Sequence, residues 1–311
     1  MIGEIRLALR LLWVTGPLPL ILGIVAALAA LNVFSGVNAA YQSRAQFDRT
    51  VDAYAQAGDD LGAALREPAG VSESGGSMMV ENTARFDYDQ LAAALQSLLP
   101  FNAIDEALKF QALLVFPAAL FVLALWLSTA PRRYGFEKVI LVRAGVATTT
   151  ASRQVTVAVA ALLMSAIAVV VDLLGRTVAW AVVSRDIDFA AFPPLEELPE
   201  HNPLAQAAVV LAVALFFGWA GLAVGAATGV FIVPTIVFLA WDYVLPILVP
   251  HDPRNWFTVL AHGAFDFTST FALRPALPVD TPIVIAAVAG IIVVLGAAVY
   301  PLAGLRNPRA Q

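Results

Sequence analysis

Cysteine is absent from all 311 residues, and lysine occurs only at Lys109 and Lys138. Without cysteine there is no disulfide and no thiolate metal or redox centre. A nucleotide-binding loop needs glycine before lysine, so that backbone amides can cradle phosphates. Here Leu108 and Glu137 precede the two lysines, so the chain is not expected to hydrolyse nucleotide itself. The three histidines, His201, His251 and His262, form no HExxH pair, which disfavours a zinc protease. Charged residues are also scarce, at 13%, against about a quarter in an ordinary soluble domain. What fills the chain is apolar: 60% of it is hydrophobic, and the mean hydropathy is +0.80. This composition belongs to an all-α polytopic membrane protein, with no cofactor or metal of its own and no nucleic-acid partner expected.

The apolar runs divide the chain into six expected transmembrane helices, since about 20 apolar residues cross a bilayer core. Residues 1–34 comprise an amphipathic N-terminal helix and the first span, with no cleavable signal peptide expected. Residues 35–108 form an acidic external helical domain. In it Phe47, Val51 and Tyr54 make one helical stripe and Leu91, Leu95 and Leu98 another. Asp87 with Gln90 resembles a capping box, PAGVSESGGS from Pro68 to Ser77 reads as a flexible loop, and the adjacent Asp59 and Asp60 read as a helix start. Asn102 is expected to cap the next helix. The second span is 109–130, where Pro117 is a candidate kink. A cytoplasmic segment, 131–154, leads to the third span, 155–183, and an acidic external loop, 184–203. The fourth and fifth spans occupy 204–249, parted by a turn near Gly225 to Gly229. An external or re-entrant segment, 250–281, precedes the sixth span and cytoplasmic tail, 282–311.

Charge tests this layout. The parts expected in the cytoplasm carry Arg6, Arg10, Arg132, Arg133, Lys138, Arg143, Arg153, Arg306 and Arg309 against Glu4 and Glu137. The parts expected outside are strongly acidic. Basic residues crowd the cytoplasmic side of membrane proteins, so both termini are placed in the cytoplasm of a cell-membrane protein.

The stretch from Pro131 to Gln154, PRRYGFEKVILVRAGVATTTASRQ, is the most informative in the chain. Phe136, Val139 and Ile140 share a helical face, Gly145 can end that helix, and Thr148 to Thr150 can cap the next. A short helix held between two spans is a surface on which a second protein can push. Inside the membrane, Asp172 and Arg176 sit four apart and can pair. Asp242, in FLAWDYVLP, is an intramembrane acid and therefore a functional candidate. Its alternatives are a structural partner for Arg176, or exposure to water at the interface, which Trp241 and Tyr243 favour.

The residues FEKVILVRAGVATTTASRQV, together with the layout, resemble an ABC-2 type permease, the membrane-spanning subunit of ATP-binding cassette exporters. Glu137 matches the family's acid, Ile140 and Leu141 its Leu-rich turn, Gly145 and Val146 its break, and Arg153 its basic residue. The family's usual proline at the break is absent, and so is the common basic residue between the fourth and fifth spans. The resemblance implies a permease subunit, not an enzyme, that forms the substrate pathway with a second permease copy or paralogue. It further implies an ABC ATPase subunit dimer, which binds the ATP and docks on Phe136, Glu137, Ile140 and Arg143. On that reading Glu137→Ala and Arg143→Ala are alike expected to uncouple transport from hydrolysis without loss of expression. The rival readings are a secondary transporter, a membrane enzyme using His251, Asp252 and Asp266, and a non-transporting sensor or assembly subunit.

Overall fold

The computed structural model describes residues 1–74, 77–135, 137–194, 202–265, 267 and 276–305, with side chains described for all of these but 71–74, 77–79 and 305. Phe136, the acids at 196, 197 and 200, His201, Asp266, Arg274, Arg306 and Arg309 lie outside the described residues.

Helix dominates. The chain opens with α1 (Ile2–Val14) and turns at Gly16 into α2 (Pro17–Ala57). Pro17 and Pro19 sit in the first turn of α2, where a missing N–H costs little. The short α3 (Leu61–Ala64), a two-stranded antiparallel ribbon of β1 (Val71–Ser74) and β2 (Ser77–Val80), and α4 (Thr83–Ser97) follow. Then come α5 (Ala103–Phe110), a π-turn at Gln111–Val115 and α6 (Phe116–Arg133). The rest is α7 (Glu137–Val183), α8 (Pro203–Thr228), α9 (Ile232–Leu239), α10 (Pro253–His262) and α11 (Thr281–Leu305).

Among the described residues, five helical stretches are long and apolar enough to cross a membrane: α2, the run from Pro100 to Arg133, α7, α8 and α11. The chain is therefore a multi-pass membrane protein. The expected fifth span, 230–249, is shorter than read. Only the eight residues of α9 and the five of a π-turn, Ala240–Val244, are helical, about 20 Å at 1.5 Å per residue, against a hydrocarbon core of about 30 Å. Leu245 takes an extended conformation and ends the helix.

Two of the long helices far exceed a bilayer. At 41 residues α2 runs about 60 Å, and α7, which is broken at Gly145, runs about 57 Å from Val146 to Val183. Their ends away from α1 project together, and α4 packs on them. Val33, Ala40 and Phe47 of α2 bury against Tyr88, Leu91, Leu95 and Leu98 of α4 and Ala179 and Val183 of α7. Phe47 meets the Tyr88 ring edge-on, at 5.6 Å between centroids. The apolar residues of this acidic region are few because the projecting spans supply much of its core.

The main core joins α6, α7 and α8, with α2 and α11 outside them. The closest approach is between α6 and α8. A Cβ on Gly221 would lie 2.4 Å from the Phe121 carbonyl oxygen, and one on Gly225 would lie 2.7 Å from Cβ of Ser128. Small residues at such a seam let backbones meet, which is how membrane helices gain packing without a hydrophobic drive between them.

Several local expectations are corrected. Asp87 does not cap α4: Asn82 is the N-cap and accepts from the Arg85 amide, while Asp87 is buried mid-helix and accepts from the Thr50 hydroxyl at 2.5 Å. The stretch from Pro68 to Ser77 contributes the β-ribbon rather than being loop throughout. Asn102 stands at the N-cap of α5 but its side chain makes no capping bond, donating instead to the Gln96 carbonyl. Asp60 does cap, accepting from the Ala63 amide at 3.1 Å. Ahead of Pro117, a π-turn takes up the defect that the missing N–H creates.

Candidate functional site

The connection between α6 and α7 is tight. Gly135, at φ 77°, makes the turn that leads from α6 into α7. This backbone conformation favours glycine. Helix resumes at Glu137 and continues to Gly145, where φ 77° and ψ 160° break it before it resumes into the long part of α7. Gly145 thus interrupts a helix that otherwise continues. Thr148 to Thr150 do not cap the second part; the Thr149 hydroxyl donates back to the Gly145 carbonyl at 2.8 Å.

The short helix is anchored from behind. Glu137 is buried, accepts from Arg132 Nε at 2.5 Å, and lies 3.9 Å from Arg153 Nη2. Arg143 reaches Glu4 of α1 at 3.2 Å. Between α1 and the base of α7 lies a cavity of about 270 Å³, bordered by Leu7, Leu11, Ile140 and Ser152. Glu137 therefore faces inward, and Ile140 is half-buried beside this cavity. The outward face belongs to Lys138, Val139, Val142 and Arg143. Val142 is 82% exposed and Val139 67%. Of the residues expected to contact a partner, Arg143 is on the exposed face, Glu137 is an anchor, and Ile140 divides between the two. Arg132 and Arg153 anchor Glu137 across a turn that helical periodicity cannot foresee.

Asp172 and Arg176 pair as their spacing predicts, through Arg176 Nε and Asp172 Oδ2. They belong to a larger cluster. Arg176 also lies 3.6 Å from Glu106 of α5, and Glu106 accepts from Lys109 at 2.5 Å. Asp105 accepts from Gln206 of α8 at 2.5 Å. Arg176 and Lys109 are each only 1% exposed. α6 and most of α7 separate the first of these groups from the next in sequence, but the cluster holds α5, α7 and α8 together at one level. Lys109, the first residue of the expected second span, is buried. Asp172 lies 17 residues beyond Val155, about 26 Å along α7, so the cluster sits near the end of the bundle remote from α1.

Asp242 does not meet Arg176. It lies in the π-turn that ends the shortened helix, and Arg254 of α10 closes that end. The Arg254 guanidinium donates to the carbonyls of Trp241 and Leu245, the latter at 2.6 Å, and to Asp252 Oδ2 at 2.6 Å, while stacking 4.7 Å above the Trp241 ring. Carbonyls left open at a helix end are tolerated at membrane depth only where protein or water satisfies them. The Asp242 carboxylate itself takes no hydrogen bond or ion pair among the described residues, and it borders a cavity of about 450 Å³. His251 is exposed and Asp252 is committed to Arg254 and to capping α10. Among the described residues no cluster of three or more metal-ligating side chains occurs.

No protein-family model matches this chain, and neither a curated protein nor a solved structure matches it.

Proposed function

We propose that this chain is the permease subunit of an ATP-driven transporter of the ABC-2 kind, an exporter, working with a separate ATPase dimer. The observation that carries the reading is the short helix from Glu137 to Ala144. It is pinned on one side by buried ion pairs and offers two valines and two bases to solution on the other. Exposed apolar side chains within a basic patch suit a protein contact better than water. Basic residues on this side of the membrane support a cytoplasmic position for the helix.

The anchoring explains how a push would be transmitted. Glu137 ties the helix to Arg132 at the end of α6 and to Arg153 at the base of α7, and Arg143 ties it to α1. Displacing the helix therefore displaces the bases of two long helices and the helix lying across them. Gly145 gives the helix a joint with the remainder of α7, and the projecting ends of α2 and α7 carry any tilt to the far side. In this reading α9, its π-turn and the Arg254-closed bend supply the sixth crossing, a short one that relies on protein contacts and local bilayer thinning. Two copies of the chain line the pathway.

Affinity purification of the tagged chain from its native host in mild detergent tests the proposal. An ATPase bearing a nucleotide-binding loop should accompany the wild type and be lost from Val142→Glu. Recovery of the folded chain with no such ATPase would overturn it.

A further inference from the structure

We infer that the cavity at Asp242 and the groove beside it form one binding site for a cationic amphiphile, with an ammonium head at Asp242 and a hydrocarbon chain along α2 and α6. The inference supplies a cargo class for the transport reading and rests on that reading only for the movement of the ligand, not for its binding.

Two adjoining spaces carry it. The first, of about 450 Å³, is bordered by Asp242, Tyr243, Phe217, Phe257 and Thr258. The second, of about 230 Å³, is an apolar groove between Ile21, Ile24 and Leu28 of α2 and Ala118 and Val122 of α6. Leu114 and Tyr243 border both. Tyr243 is fixed at this junction by donating its hydroxyl to the Leu114 carbonyl at 2.5 Å. A compartment with a carboxylate on its wall, beside an apolar groove, suits an amphiphile.

Charge chooses the sign of the head. Asp242 and Arg254 both border the cavity, and the Arg254 charge is matched by Asp252, which lies outside it. Arg254 is spent on Asp252 and on the carbonyls of the helix end. Asp242 is left as the one carboxylate on the cavity wall without a bonded partner among the described residues. An acid among apolar walls is costly unless a counter-charge arrives. A quaternary ammonium supplies that charge without needing hydrogen bonds, and the rings of Phe217, Phe257 and Tyr243 favour it further. An anionic head would meet the carboxylate and be repelled. A cavity of this size falls within the range that holds small ligands.

The test uses the purified full chain in a maltoside detergent, without an ATPase. Decyltrimethylammonium is titrated below its micelle concentration, and binding is read by tryptophan fluorescence, since Trp241 adjoins Asp242 in sequence. The inference expects saturable binding, weakened at least tenfold by Asp242→Asn and at least fivefold by Val122→Trp, which fills the groove. Thermal melting checks that both variants fold. Should Asp242→Asn fail to fold, the wild type alone decides: decyl sulfate must fail to compete, and tetramethylammonium, lacking the chain, must bind at least tenfold more weakly. No saturable binding, equal binding by folded Asp242→Asn, or equal competition by decyl sulfate would overturn the inference. Co-purification of an ATPase with a chain that binds no ammonium amphiphile would sink this site and leave the transport reading standing. Binding without an ATPase would do the reverse.

Discussion

Arg132 and Glu137 clasp the turn between α6 and α7, Nε to Oε2 at 2.5 Å, with the carboxylate turned inward. The residue that sequence pattern offers as a docking contact is thus part of the frame that holds the helix from Glu137 to Ala144 still. Glu137 and Arg143, equivalent on the sequence reading, separate on this point.

Glu137→Ala should therefore lower stability, by about 1.5–3 kcal/mol for a lost charged hydrogen bond with Arg153 left buried beside it. Arg143→Ala should change stability little, because Arg143 is largely exposed and such ion pairs contribute about 0–1 kcal/mol. Thermal melting of the two purified variants in one detergent checks this; equal melting temperatures would show that Glu137 is not an anchor.

The sidedness can be read with single cysteines, because the chain has none. Val142→Cys should react with a membrane-impermeant maleimide only after cells are opened. Asp59→Cys, on the exposed stretch after α2, should react in intact cells. Reversal of the two patterns would invert the topology and remove the ATPase proposal with it.

At the other end of the bundle, Arg176→Met should be severely destabilising, by about 3–5 kcal/mol, since it leaves Asp172 buried without its cation and Glu106 with Lys109 as its cation. Replacing Asp172 as well, as Asp172→Leu with Arg176→Met, should recover part of the loss. Melting temperatures of the wild type, both single variants and the double variant make the cycle. A double variant no better than Arg176→Met alone would mean that the pair is not coupled.

Much of this fold was open to reading from the chain, and its limits are physical. The length and end of α8 follow from an apolar run opened by Asn202 and Pro203 and closed by Gly229, and α11 and the Asp172–Arg176 pair follow as simply. These are local signals. The shortened helix before Arg254 was read as a full span because Leu245 to Val249 are apolar; hydropathy records composition, not where backbone bonding stops. The Glu106–Arg176 contact joins residues seventy positions apart, which no local pattern can foresee. Glu106 and Lys109 lie three apart on one helix at the entrance to an apolar run, which is the signal that could have exposed them. At the helix from Glu137 to Ala144, pattern locates the segment, but its inward and outward faces depend on Arg132, Arg153 and Glu4, which only the folded chain brings together.

The α6–α8 seam offers a further check. Gly221→Val places a side chain against the Phe121 carbonyl and should cost about 1–3 kcal/mol by overpacking. Ala220→Val, at the neighbouring and less buried position, should cost much less. Comparable melting temperatures for the two would contradict the close approach.

The central claim is that the exposed face of the α6–α7 helix grips a motor subunit, and it can be tested by contact. A photo-crosslinking amino acid placed at Val142 and activated in intact native cells should yield an adduct with a chain that carries a nucleotide-binding loop. Adducts confined to lipid, or to a second copy of this chain, would contradict it.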